Sequence, residues 1–250
     1  MKVINPKAVM IAAAALMAFS IPAQASKLDD SIESSAKQSY VFKTYLKGDD
    51  IKVKSKDGAV TVTGVVLDES HKILAEETVA ALTGVKSVEN KLEIKGEPAK
   101  NSDAWLTTKV KSTLLFHRSV SAKTEVDVKD GIVTLKGAAA SSAQRELTTE
   151  YAKDIDGVKE VRNEMTVAGA IEEKRTIGDK IDDSSITAQV KMTLLSHRST
   201  SAIKTKVTTK NGAVSLTGEA RNTAEIDLAT KLANDVNGVG SVENKMTVAK

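Results

Sequence analysis

The chain has 250 residues, with 36 Lys and Arg against 33 Asp and Glu, no cysteine and only 3% aromatic residues. That composition excludes disulfides, thiolate metal sites and attachment through a lipidated cysteine, and it leaves too few rings for the stacking platforms of single-strand nucleic-acid binders. The net charge of +3 includes Lys2 and Lys7 of the leader described next, without which 34 basic residues face 33 acidic ones, so a clustered basic surface for a polyanion is not expected.

The chain opens with a pattern of export. Lys2 and Lys7 precede an apolar run from Ala8 to Ile21, and Ala23-Gln24-Ala25 follows as a small-residue cleavage site. The run has 14 residues, short of the roughly 20 needed to cross a bilayer. Residues 1–25 therefore read as a signal peptide cleaved after Ala25, which sends the mature chain to the periplasm. No later segment is apolar enough to span a membrane.

Three copies of one unit follow. Asp57-Gly58, Asp130-Gly131 and Asn211-Gly212 are each followed by a second glycine (Gly64, Gly137, Gly218) and a third (Gly84, Gly157, Gly238). These nine of the 14 glycines keep one register, offset by 73 and then 81 residues, and such a repeat decides the fold before any single element does. Each copy opens with an amphipathic helix. Its stripe is Ile32, Ala36, Tyr40 and Val41 in the first copy, Leu106, Val110, Leu114 and Leu115 in the second, and Ile186, Val190, Leu194 and Leu195 in the third. The last two helices run into His117-Arg118-Ser119 and His197-Arg198-Ser199. A histidine there is expected to interact with the free carbonyls and dipole of its own helix end.

A hairpin comes next. Asp-Gly and Asn-Gly suit a type I′ turn, in which both central residues take positive φ. The strands around it alternate, with Ile51 and Val53 before Val60 and Val62, Val126 and Val128 before Val133 and Leu135, and Val207 before Val214 and Leu216. Period-two alternation means one buried and one wet face. The second glycine is expected to end the hairpin. A helix then starts at Asp68, Ser141 or Asn222, with Gln144 and Glu225 completing capping boxes in the last two copies. Its inward stripe reads Leu74, Val79, Leu82; Leu147, Ala152, Ile155; and Leu228, Ala233, Val236. The third glycine is expected as the left-handed C′ residue of that helix. A last strand carries Asn90, Asn163 or Asn244 between apolar residues, and a structural role for this asparagine outweighs a ligand role.

The prediction is an α+β chain of tandem two-layer αββαβ modules, each a small mixed three-stranded sheet with two helices on one face. The modules occupy 26–96, 103–169 and 182–250, joined by polar linkers at 97–102 and 170–181, and are expected to fold independently. The hairpin motifs DGAVTVTG, DGIVTLKG and NGAVSLTG, with GVKSVENKLEI, GVKEVRNEMTV and GVGSVENKMTV in the last strands, resemble the BON-domain family over essentially the whole mature chain. The layout is similar to that of an osmotically inducible periplasmic member of the family, with three modules in place of two. The resemblance implies an envelope role under osmotic stress, with phospholipid binding or chaperone-like activity and no catalytic residues to transfer.

The residues themselves supply no catalytic, cofactor or metal motif. There is no G-x-S-x-G, no H-x-x-x-H and no phosphate loop. Trp105 with Lys109 and Lys111 is the candidate membrane contact, weighed against simple packing of the indole at the helix start. The expected function is non-enzymatic: binding of unfolded or envelope proteins through tethered modules, or alternatively recognition of phospholipid head groups, with no nucleic acid.

Overall fold

The computed structural model describes residues 22–96, 98–168, 181–200 and 204–249. The signal-peptide residues up to 21, most of the second linker and Ile203 lie outside them. The first module holds α1 (Pro22–Gln38), α2 (Tyr40–Thr44), β1 (Asp50–Lys56), β2 (Ala59–Val66), α3 (Glu69–Ala80) and β3 (Ser87–Ile94). The second holds α4 (Asp103–Leu115), β4 (Glu125–Lys129), β5 (Ile132–Lys136), β6 (Ala138–Ala139), α5 (Ser142–Lys153), β7 (Glu160–Asn163) and β8 (Thr166–Val167). The third holds α6 (Asp183–Ser196), β9 (Thr205–Lys210), β10 (Ala213–Ala220), α7 (Thr223–Asn234), β11 (Ser241–Asn244) and β12 (Thr247–Val248).

In each module the hairpin strands are antiparallel, and the last strand returns parallel to the middle one, giving a mixed three-stranded sheet. The inward residues are those the alternation selects: Val60, Val62, Val133, Leu135, Val214 and Leu216 are all at most 2% exposed. The turns are type I′ as their sequence requires, with φ of 55° and 81° at Asp57-Gly58 and similar pairs in the other copies. An acid on the first helix holds each turn. Asp29, Asp103 and Asp183 accept both turn amides, at 2.7–3.0 Å. The repeated asparagine is also a tie. The amide of Asn163 donates to Arg145 O and Thr149 Oγ1 at 2.8 and 2.7 Å, while its Oδ1 accepts from Met165 N at 2.9 Å. Asn244 repeats all three bonds, and Asn90 does so with Glu76 in place of the threonine. The residue pins the last strand to the second helix, and in the last two modules the strand breaks just after it.

Several expectations are corrected. Gly64 and Gly218 lie inside β2 and β10, not at the hairpin ends, at φ near +130°. A Cβ at either would collide with the carbonyl oxygen of Asp50 or Lys204 on the neighbouring strand, so close backbone approach is what demands glycine. Gly84 sits three residues beyond the C-cap Ala81, past the C′ position. There its φ of +92° demands glycine, and a Cβ would press on the movable Leu28 side chain of α1. In the capping boxes, Gln144 and Glu225 accept from Ala140 N and Arg221 N, one residue before the cap. Leu115, Leu147 and Leu195 are 47%, 41% and 41% exposed instead of buried. The helix of the first module breaks at Ser39, whose side chain caps α2.

The modules are not independent beads. Helix α6 has 11 of its 14 residues buried, because it packs on its own sheet and also against α3 of the first module. Ala188 and Met192 of α6, together with Phe116 from the second module, enter the first module's core. Asp182 caps α6 through Ser185 N at 2.9 Å and also accepts Tyr40 N at 2.7 Å, so one carboxylate closes helix starts from two modules. Lys191 pairs with Glu77 across the same joint, and Ser70 bonds to Ser112 between the first and second modules.

Two expectations follow. Gly64→Ala should lower unfolding free energy by on the order of 2–3 kcal/mol in urea titration, since strain at positive φ adds to the clash with Asp50. Gly48→Ala, where a Cβ meets nothing within 4 Å, should stay within about 1 kcal/mol of the parent. Thr193 is fully buried with an Oγ1 that has no hydrogen-bond partner. Thr193→Val should therefore raise the urea midpoint, by about 1 kcal/mol in stability, because removal of an unpaired buried hydroxyl lifts its desolvation cost.

Candidate functional site

The two His-Arg-Ser segments project from the ends of α4 and α6 toward each other's module. Arg118 N donates to Asp235 O at 2.8 Å, and Arg198 N donates to Asp154 O at 2.9 Å. Antiparallel bridges join His117 to Val236 and Ile155 to His197. The second and third modules are thus related by a local two-fold exchange, in which each copy's segment seats on the C-terminus of the other's second helix.

Side chains repeat the exchange. Nδ1 of His117 lies 3.1 Å from Asp235 Oδ2, and Nδ1 of His197 lies 3.1 Å from Asp154 Oδ2. The hydroxyls of Ser119 and Ser199 donate to the second oxygen of the same carboxylates. The two imidazoles meet at the centre with Nε2 atoms 3.2 Å apart. Tyr151 breaks the symmetry. Its ring stacks on His117 at 3.9 Å, and its hydroxyl donates to Asp235 at 3.0 Å, whereas the matching position of the third module is Leu232. His117 and His197 are 2% and 1% exposed. Burial holds the His117 imidazole below its ordinary range, although Asp235 opposes the shift. Burial also pushes Asp154 and Asp235 upward, but the bonds from His, Ser and, at Asp235, Tyr151 outweigh it and leave both carboxyls below their usual value. Burial and the adjacent carboxylate raise the Tyr151 hydroxyl.

The expected role of these histidines is therefore corrected. Their backbone amides bond to carbonyls of their own helix ends, Leu114 O and Thr193 O, but their side chains join two modules instead of capping those ends. The constellation contains Ser, His and Asp, yet Ser119 donates to the carboxylate and not to the imidazole, so no base is set against a nucleophile. Among the described residues no three His, Asp or Glu side chains are grouped as ligands for one ion.

Trp105 is half-buried and packs against the second module's aliphatic core. Lys109 Nζ lies 4.8 Å from the centre of its ring, and Lys111 is exposed. The three do not form one outward patch. Lys111 instead lines a cleft of about 900 Å³ where the three modules meet, with Tyr45, His71, Leu114 and Val126 among its walls and the exposed Leu67 and Leu115. No helix of the described residues is long and apolar enough to cross a membrane.

Sequence reasoning missed Asp154, Asp235 and Tyr151. A signal existed in the register of the repeats: the aspartate occurs only in the two copies that carry His-Arg-Ser, and the first copy has Ala81 there and Thr44-Tyr45-Leu46 in place of the triplet. Asp235→Ala should cost about 3 kcal/mol in urea unfolding, because it strands His117, Ser119 and the Tyr151 hydroxyl in a buried site. Asp154→Ala should cost less, since no tyrosine depends on that carboxylate.

A family model described as BON domain matches residues 28–96, 102–169 and 182–250. The chain is 33% identical over 146 residues to Osmotically-inducible protein Y of Escherichia coli K12, covering 58% of this chain and 71% of that one. It is 34% identical over 121 residues to a 21 kDa hemolysin of Actinobacillus pleuropneumoniae, covering 48% of this chain and 60% of that one. It is 28% identical over 160 residues to Outer membrane lipoprotein DolP of Haemophilus influenzae, covering 64% of this chain and 74% of that one.

Proposed function

The chain belongs to the BON-domain family, and from that membership we propose that it is a non-enzymatic envelope protein of osmotic stress, exported to the periplasm, that holds exposed apolar segments of non-native or envelope proteins. The name of its Escherichia coli relative supports the stress context, and that of the Haemophilus influenzae relative supports the envelope.

The observation that carries the binding role is the cleft between the three modules. Leu67 and Leu115 are 59% and 47% exposed there, beside the buried apolar side chains of Leu114, Val120 and Val126. Large aliphatic side chains left wet beside an apolar floor suit an extended peptide better than a small polar substrate. The sheet faces away from the helices carry Lys, Thr and Glu, as in Lys91 with Glu89. Because the modules are packed together, binding through this cleft needs all three at once and does not rest on avidity between free beads.

A second reading is favoured by Lys111, exposed one turn before Leu115 on the same helix and on the same cleft. A cation beside an aliphatic side chain also fits an anionic phospholipid head group. The two readings separate in one experiment. The mature chain should suppress aggregation of a thermally unfolding client at low molar excess, and Leu67→Ser with Leu115→Ser should lose at least half of that effect. No suppression at severalfold excess would end the protein-binding reading. Flotation with phosphatidylglycerol vesicles, lost in Lys111→Glu, would favour the lipid.

A further inference from the structure

The seam between the second and third modules carries more than adhesion, because its hydrogen bonds fix how many protons it can hold. Each Nδ1 faces a carboxylate oxygen at 3.1 Å, and each carboxylate also accepts a serine hydroxyl. Both Nδ1 atoms must therefore carry hydrogen. The two Nε2 atoms face each other at 3.2 Å, where one proton makes a donor–acceptor pair and two make opposed donors on adjacent cations. Closed, the seam holds one imidazolium and one neutral imidazole between two carboxylates.

We propose that this pair is an acid-operated latch: below neutral pH the second imidazole takes up a proton, the His117–His197 contact becomes repulsive, and the second and third modules part along the seam. The groups facing the pair are Asp235 at His117, Asp154 at His197, and Tyr151, whose ring stacks on His117 and meets His197 edge-on at 5.7 Å. Arg118 and Arg198 stand 3.9 and 3.6 Å from the two carboxylates. Glu150, Lys153 and Lys231 line the solvent side of the same seam. Of these, only the histidines ordinarily change charge between about pH 5 and 8.

The sign follows from proton counting. An open seam lets both histidines protonate near their ordinary value of about 6.5, whereas the closed seam takes only one proton. Well below that value the open form binds two protons and the closed seam one, so the closed form is lost as pH falls further; well above it the open form binds none, so the closed form is most stable near that value. Burial of His117, which disfavours its charged form, acts in the same direction. The open-to-closed ratio should rise about tenfold for each pH unit once the extra proton is bound. Opening uncovers Ile155 and Val236, both wholly buried when the latch is shut. The shared proton is a property of the seam alone, whatever ligand the three-module cleft takes.

The test is hydrogen exchange of the Arg118 and Arg198 amides in the mature chain between pH 7.5 and 5, corrected for intrinsic exchange. Protection should peak at about pH 6.5 and fall below it, steepening toward about tenfold per pH unit only well below that value. His197→Gln places a carbonyl acceptor opposite His117, so its protection should stay flat. His71→Gln, which removes the remaining histidine at its bond to Asp49, should behave as the parent does. Flat protection in the parent, or an equally steep fall in His197→Gln, would overturn the latch. If His197→Gln fails to close even at pH 7.5, imidazole nitrogen shifts of the parent decide. Two separated protonation steps support the shared proton, and two independent titrations near the ordinary value reject it.

Discussion

Everything in the assembly turns on α6 being buried on most of its sides, with only the stripe of Asp183, Lys191 and Leu195 left partly open. A helix with one apolar stripe needs one partner, but a helix whose small polar residues are covered as well needs partners around most of its circumference. Ile186, Val190 and Leu194 serve its own sheet, and Ala188 and Met192 serve the first module. Ser185 is hydrogen-bonded across the joint and Gln189 only within α6, where its Oε1 stays buried without a partner. Ser185 Oγ accepts Val41 N at 3.0 Å, and Gln189 Nε2 donates to Ser185 O at 3.1 Å. A unit of about 70 residues buries too little surface to be very stable alone. Sharing one helix between two cores offsets that deficit where a disulfide cannot.

The repeats diverge where their contacts diverge. The first copy keeps the turn, the turn-holding acid and the asparagine tie, all of which act within a module. It lacks both halves of the His-Arg-Ser and Asp exchange, which acts between modules. The second and third copies keep both halves. The first copy uses aromatic contact instead: Tyr45 meets Phe116 edge-on at 5.3 Å and Tyr40 at 5.7 Å. With only seven aromatic residues in the chain, this placement matters. Four of them, Tyr40, Tyr45, Phe116 and Tyr151, sit at joints between modules, and the sheet interiors are aliphatic. The joints ask for directional contacts between large surfaces, while β-branched residues fill a small two-layer core.

What the sequence made legible is what local chemistry dictates. Type I′ turns, helix caps and the buried face of each strand follow from short-range rules, and the threefold register confirmed each one twice over. The misses share one cause. Leu115, Leu147 and Leu195 satisfy helical spacing but lie at the edge of the stripe, and spacing does not say where a neighbouring module ends. The histidines invited a local reading because a cation near a helix end is locally sensible. Their true partners lie 118 and 43 residues away in sequence. The glycines were recognised as obligatory, but one of the three reasons was tertiary: backbone against backbone at Gly64.

This distinction bears on how binding through the cleft would work. If the modules were beads on flexible linkers, affinity would come from several weak contacts and would tolerate loss of one. In the packed arrangement the apolar surface exists only while Tyr45, Leu115 and Val126, one from the first module and two from the second, are held beside the third. A substitution at the seam, far from Leu67 and Leu115, then alters the cleft by changing the mutual placement of its walls. Binding and module docking become linked equilibria: a client that fits the closed cleft stabilises the seam, and a broken seam weakens the client's hold.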